Sequence, residues 1–223
     1  MDAFFDGLSN AFSSERLYYI KAAEGDENLR EFLPRVEDDP TTQALVSTHL
    51  LRPKGKADID ETMKGLSASL LGVSICLKPR EEAKQKNDQT KETQSPDGKT
   101  TRPTIIGFVV LGWGGILSNQ VVNRRASIGI SLSSEYHGKG YGREAFSWML
   151  DWAFRYAGLH TVFLSVFPYN EKAVRLYKSL GFVQEGHLRE TKYFNRKWHD
   201  ELLFAITENE WEKIRGKKNA GAI

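Results

Sequence analysis

The stretch "SSEYHGKGYGREAF", residues 133–146, constrains the chain more than any other. Before it lies "RASIGISLS", 125–133, which alternates like a strand. After it Phe146, Met149, Leu150, Ala153 and Phe154 form one helical stripe, closed by Gly158. The unit therefore reads as strand, bare turn, helix start. The first N–H groups of a helix lack intrahelical partners, and its dipole places partial positive charge there. Glycines at 138, 140 and 142 would let an anion approach that backbone closely. The plain alternative is a tight turn with no ligand.

The anions can be sorted by pattern. A nucleoside triphosphate needs G-x-x-x-x-G-K-[ST], which is absent. "GYGREA", 140–145, does satisfy G-x-G-x-x-A, but a dinucleotide also requires an acidic residue about twenty residues on. Here the next strand ends "SVFPYN", without an acid.

The rest of the chain supplies an α/β framework. "RLYYIKAA" at 16–23 reads as a strand, "GDENLREFLPRV" as a helix stopped by Pro34, and "DDPTTQALVSTHLL" as a second helix with Pro40 in its first turn. Residues 52–65 are polar and read as loop. Strands are expected at 66–77 and 104–112. Between them, residues 78–103 contain Ala83 and nothing else apolar, which predicts a disordered insertion within a β-hairpin. "TVFLSVF", 161–167, reads as a strand buried on both faces, and "NEKAVRLYKSLG" as a helix with Asn170 as N-cap and Gly181 as its stop. Two further strands meet at a turn near Asn195. The order β-α-α-β-β-β-α-β-α-β-β indicates a sheet with helices on its faces. The expectation is one domain over 1–223, with a loose arm at 1–14 and a basic tail at 212–223.

Charge and cysteine narrow the setting. With 31 Lys and Arg against 29 Asp and Glu, nothing global argues for nucleic acid. The lone Cys76 excludes an internal disulfide and sits in an apolar run as a small core residue. No Cys/His cluster has metal-ligand spacing, and no window is apolar enough to span a membrane. Without a signal-peptide pattern, the expected location is cytoplasmic, with the nucleus also open. His160, His187 and His199 read as structural. "EDD" at 37–39 reads as a solvated turn, or as an attractor for a cationic substrate.

Two segments carry a resemblance. "HGKGYG", 137–142, resembles the Q/R-x-x-G-x-G/A pyrophosphate loop of the GNAT superfamily of N-acetyltransferases. "NEKAVRLYKSLGF", 170–182, resembles that family's N-x-x-A-x-x-L-Y-x-x-x-G-F segment, one helix and one strand downstream. "LRETKYFNRKWHDELLFAI" is similar to the C-terminal hairpin of its ribosomal-protein and polyamine branch. The likeness covers about 105–206 well and about 15–45 in outline. His137 departs from the pattern, standing where Gln or Arg is usual.

The resemblance implies a mixed central sheet with a V-shaped splay between two central strands and helices on both faces. It implies acetyl-CoA as co-substrate, with Ile130, Ser131 and Leu132 along the pantetheine arm. It places His137, Gly138, Lys139, Gly140, Tyr141, Gly142 and Arg143 at the pyrophosphate. Asn170 would bond near the pantetheine, and Tyr177 would protonate the leaving sulfur. A tyrosine near its reference pKa of about 10 is a ready donor at neutral pH. The general base is not evident, because "ASIGISL" has no acid at its centre. Transfer is expected to be direct, since Cys76 lies outside both motifs. The acceptor is expected to be a primary amine of a small molecule or a peptide N-terminus. An amino sugar, a xenobiotic amine, a protein lysine, or a non-catalytic coenzyme-A-binding module remain open, as do monomer and homodimer.

Overall fold

A computed structural model describes residues 8, 11–81, 102–116 and 118–220. Seven strands form one sheet: β1 (Leu17–Lys21), β2 (Leu71–Leu77), β3 (Ile105–Leu111), β4 (Arg125–Leu132), β5 (Thr161–Val166), β6 (Val183–Phe194) and β7 (Lys197–Thr207). Their spatial order is β1-β2-β3-β4-β5-β7-β6. All neighbours are antiparallel except β4 and β5, which run parallel.

That parallel pair holds for only three residues, ending at Ser127↔Phe163. Beyond it β4 follows β3, as far as Leu132↔Gly107, while β5 follows β7, as far as Val166↔Leu202. The sheet therefore opens between its central strands, as the V-shaped splay requires.

The helices are α1 (Glu27–Phe32), α2 (Pro34–Glu37), α3 (Pro40–Val46), α4 (Lys56–Ala68), α5 (Tyr141–Arg155), α6 (Glu171–Leu180) and α7 (Glu208–Ala220). Two apolar clusters lie on opposite faces of the sheet. One gathers Phe146, Met149 and Leu150 of α5 against Val109, Ile128, Val162 and Phe204. The other gathers Leu29, Phe32, Leu33, Met63 and Leu66 against Cys76, Phe108 and Val110. Alternate strand residues point to opposite faces, so one sheet serves both clusters.

Several expectations need correction. Residues 52–65 are not loop: α4 begins at Lys56 and buries Ile59, Thr62, Met63 and Leu66 along one face. Its last turn occupies 66–68, so β2 starts at Leu71 and not at 66. Pro34 does not simply stop a helix. It opens α2 from the first-turn position, where its missing N–H costs nothing. β5 is not buried on both faces: Val162, Leu164 and Val166 are buried, while Ser165 is exposed and Phe163 lies under the Arg125 guanidinium, 4.4 Å away.

The basic tail is also a correction, because α7 occupies most of it. Trp211 is buried and donates to Asp151, Ile214 reaches Gly181, and Arg215 pairs with Asp151 at 2.8 Å. The arm is held at its end. The Trp148 indole donates to Ala11 O at 2.9 Å, and Ser13 bridges to Tyr18. Most of the 78–103 insertion, residues 82–101, lies outside the described residues, but β2 and β3 do pair as its hairpin. Among the described residues no helix is long and apolar enough to cross a membrane.

Candidate active site

The open end of the splay is a cleft of about 690 Å³. Its walls come from β4, the glycine loop, α6 and α3. β4 supplies Ile130, Ser131 and Leu132. Ser133 N–H donates to Ile106 O, and Ser127 O accepts from Gly112 N–H, so the odd-numbered residues of β4 bond toward β3. Backbone groups alternate sides along a strand. Past the last pair with β5, the N–H and C=O groups of Ile130 and Leu132 therefore face the gap that β5 has left.

The glycine loop closes the cleft's floor. Gly138 and Gly140 adopt φ values of +73° and +84°, a left-handed conformation that other residues reach only under strain. Gly140 is the N-cap of α5, and its C=O accepts from Glu144 N–H. The earlier amides of that turn lie at the cleft's edge, at the positive end of the dipole. His137 turns back and bonds Leu132 O through Nε2 at 2.9 Å. The departure at this position thus joins the loop to the end of β4.

The loop is braced from outside by residues that motif reading missed. The Glu144 carboxylate accepts from the Ser14 hydroxyl at 2.6 Å, the Arg16 amide at 2.7 Å and the Arg16 guanidinium at 2.8 Å. Arg16 also donates to Lys139 O at 2.9 Å. Burial opposes ionisation of Glu144, but these three bonds together outweigh it and hold its pKa below the ordinary value. Nothing local in the arm marks Ser14 or Arg16 for this role.

α6 contributes Asn170, Lys172, Ala173, Arg175, Leu176 and Tyr177 to the cleft. Asn170 caps the helix, its Oδ1 accepting from Ala173 N–H at 3.3 Å. The Tyr177 ring packs on Phe146 and Phe182, with centroids 5.3 and 6.0 Å away. Burial pushes its pKa up to about 12. Among the described residues its hydroxyl has no hydrogen-bond partner, although the side chain lines the cleft.

α3 forms the opposite wall through Thr41, Thr42, Leu45 and Val46, with Asp39 at its start. Asp39 caps α3, accepting from Thr42 at both Oγ1 and N, at 2.6 and 2.9 Å. The Thr42 hydroxyl is the main cause of its lowered pKa. Its neighbours in "EDD" lie outside the lining: the Asp38 carboxylate accepts from Lys54 N–H, and burial raises the pKa of the Glu37 carboxyl.

Of the residues that the resemblance assigned to cofactor or catalysis, all but Lys139 and Tyr141 line this cleft. Lys139 extends its ammonium over the Tyr136 ring, 5.6 Å from the centroid. Tyr141 buries its side chain beneath Arg16, leaving only its backbone at the helix start. His160, His187 and His199 lie outside the lining, beside Glu208, Asp200 and Phe194 O respectively.

Known proteins resemble this chain in sequence and fold. Spermidine N(1)-acetyltransferase of Vibrio cholerae is 34% identical over 107 residues, covering 48% of this chain and 59% of that protein. The ribosomal protein uS5-alanine N-acetyltransferase of Escherichia coli is 27% identical over 84 residues, covering 38% of this chain and 43% of that protein. The chain thus spans about half the length of the curated relatives it matches. The crystal structure of the Vibrio cholerae spermidine N-acetyltransferase with CoA and spermine superposes with a TM-score of 0.66 at 22% identity, covering 89% of this chain and 99% of that one. At that identity the likeness speaks for the fold. The model of the GNAT acetyltransferase domain matches residues 48–183, more than half of the chain, and with the splayed sheet around the cleft it places this protein in the GNAT acetyltransferase family.

Proposed function

We propose that this protein transfers an acetyl group from acetyl-CoA to a primary amine of a small molecule or a peptide N-terminus. The observation that carries the reading is the placement of Tyr177. Its raised pKa keeps its proton, and it lines the same cleft as the β4 backbone and the left-handed glycine loop.

The residues present fit a coenzyme A ester. A Cβ at Gly138 would meet nothing within 4 Å, and one at Gly142 only ordinary contacts, so the loop leaves room at its backbone. Arg143, Lys172 and Arg175 put cations at the rim, suited to phosphates. The thioester supplies an activated acetyl group when bound. The amides of Ile130 and Leu132, facing the gap, would orient its carbonyl and stabilise charge developing on oxygen, at about 3 kcal/mol per well-aimed donor. The Tyr177 hydroxyl would hold a proton for the departing sulfur. Asn170 would steady the amide-bearing arm while capping α6. α3, across the cleft, would present the acceptor.

The named activities of the relatives, toward spermidine and a ribosomal-protein alanine, support an amine acceptor without choosing one. Release of coenzyme A thiol from acetyl-CoA, measured across polyamines, amino acids, amino sugars, arylamines and short peptides, tests the reading. Sustained release with one class, and an acetylated product by mass, is expected. No release with any class by folded protein would contradict it.

A further inference from the structure

α3 forms a wall of the cleft but is poorly anchored by its own sequence. It has seven residues, too few to persist alone. Its one buried residue is a glutamine, Gln43, and Val46 at its end is exposed. Apolar burial cannot be what fixes it. Polar contacts at its C-terminal end must do so, where the last carbonyl groups have no helical partners.

Lys192 of β6 supplies most of these contacts. In a strand that is exposed almost throughout, Lys192 is only 5% exposed. Its ammonium donates to Ala44 O at 2.6 Å and to Ser47 O at 2.5 Å. Three rings surround it: Phe167 at 4.2 Å, Phe194 at 5.4 Å and Tyr169 at 5.8 Å from their centroids. Among the described residues no carboxylate pairs with it. A cation is nonetheless at home here, because helix C-terminal carbonyls and aromatic faces are both electron-rich. Two neighbours reinforce the contact. Tyr169 donates from its hydroxyl to Ala44 O at 2.7 Å, and Asn170 Nδ2 reaches Leu45 O at 3.5 Å. The β6–β7 hairpin can offer Lys192 because it runs past the end of β5. Val166 pairs with Leu202, whereas Lys192 pairs with His199, further out.

We infer that Lys192 is a positioning residue, which pins the C-terminal end of α3 through its caged ammonium and so sets the acceptor wall of the cleft. The assignment of that wall to the acceptor rests on the acetyl-transfer reading, while the pin itself does not. Desolvation lowers the pKa of this lysine, as expected for an ammonium withdrawn from water.

Lys192→Met keeps an unbranched side chain one atom shorter and removes its ammonium. Amide hydrogen exchange is expected to quicken about tenfold over residues 43–49, with β2 and β3 unchanged. In turnover assays the KM for the amine is expected to rise about fivefold or more, with kcat and the KM for acetyl-CoA little changed. Unchanged exchange over 43–49 would overturn the pin. Faster exchange with an unchanged amine KM would overturn the positioning role. If the wild type turns over no amine, the acetyl-transfer reading fails, and exchange still decides the pin. Should Lys192→Met not fold, Lys192→Gln decides it instead, since it keeps a polar head in the cage but removes the charge and reach of the ammonium. The same local quickening, smaller in size, is expected, and none at all would overturn the proposal.

Discussion

Replacing Tyr177 by phenylalanine removes one oxygen and keeps the ring. The contacts with Phe146 and Phe182 involve ring faces and edges, so packing is preserved. Among the described residues no hydrogen bond depends on the hydroxyl. Stability should therefore change by less than about 1 kcal/mol, or a melting shift below about 4 °C for a chain of this size. Turnover should behave differently. Loss of a positioned proton donor typically costs about 10²- to 10⁴-fold, equivalent to about 3–5 kcal/mol in the barrier. The assay is thiol release under saturating acetyl-CoA and acceptor, run beside thermal melts of both proteins. The pH profile adds a second reading. With its pKa near 12, Tyr177 stays protonated throughout the range in which an amine acceptor loses its proton. The wild-type rate should then rise with pH and show no tyrosine-dependent fall near 10, the ordinary tyrosine value. A Tyr177→Phe kcat within about threefold of wild type would refute the proton-donor role.

Glu144→Gln should cost about 2 kcal/mol, because charge-assisted bonds to Ser14 and Arg16 become neutral ones. Since folding lowers the Glu144 pKa, its contribution is complete above the ordinary value of 4.5 and is lost as pH falls through the lowered folded value. The acid limb of wild-type stability should therefore flatten in the variant, and thermal melts between neutral and strongly acidic pH would show it. Gly181→Ala should cost at least about 2 kcal/mol, because a non-glycine residue is strained at φ +96° and its Cβ would lie 2.1 Å from Ile214 Cδ1. Trimming Ile214 to alanine in the same chain should not restore full stability, since the backbone strain remains; denaturant titration of the single and double variants measures this.

The two motif segments were legible because their constraints are local. Gly138 and Gly140 must be glycine for their backbone angles, and Asn170 and Gly181 mark the ends of one helix. The alternating residues of β4 and the stripe of α5 follow the same logic. What escaped depends on surroundings. Ile59, Met63 and Leu66 do recur at helical spacing, but dense Lys, Asp and Glu between them made α4 resemble loop. Trp211 and Ile214 were a similar short signal hidden in a basic run. α3 was legible as a helix beginning at Pro40, but its place as a wall of the cleft was not. Its place depends on Lys192 and Tyr169, more than a hundred residues away in sequence. The brace of Ser14 and Arg16 on Glu144 is equally remote.

The central claim is that the glycine loop and the splayed strands together hold acetyl-CoA. Calorimetric titration of the full chain with acetyl-CoA tests it most directly, with Gly140→Val as the paired variant. The account predicts one site per chain, displaced by free coenzyme A. It also predicts much weaker binding by the variant, whose side chain would strain the loop at φ +84° and crowd Arg16 Nη2, 3.2 Å from the nearest Cβ position. Absence of binding by folded wild type, or equal binding by the variant, would contradict it.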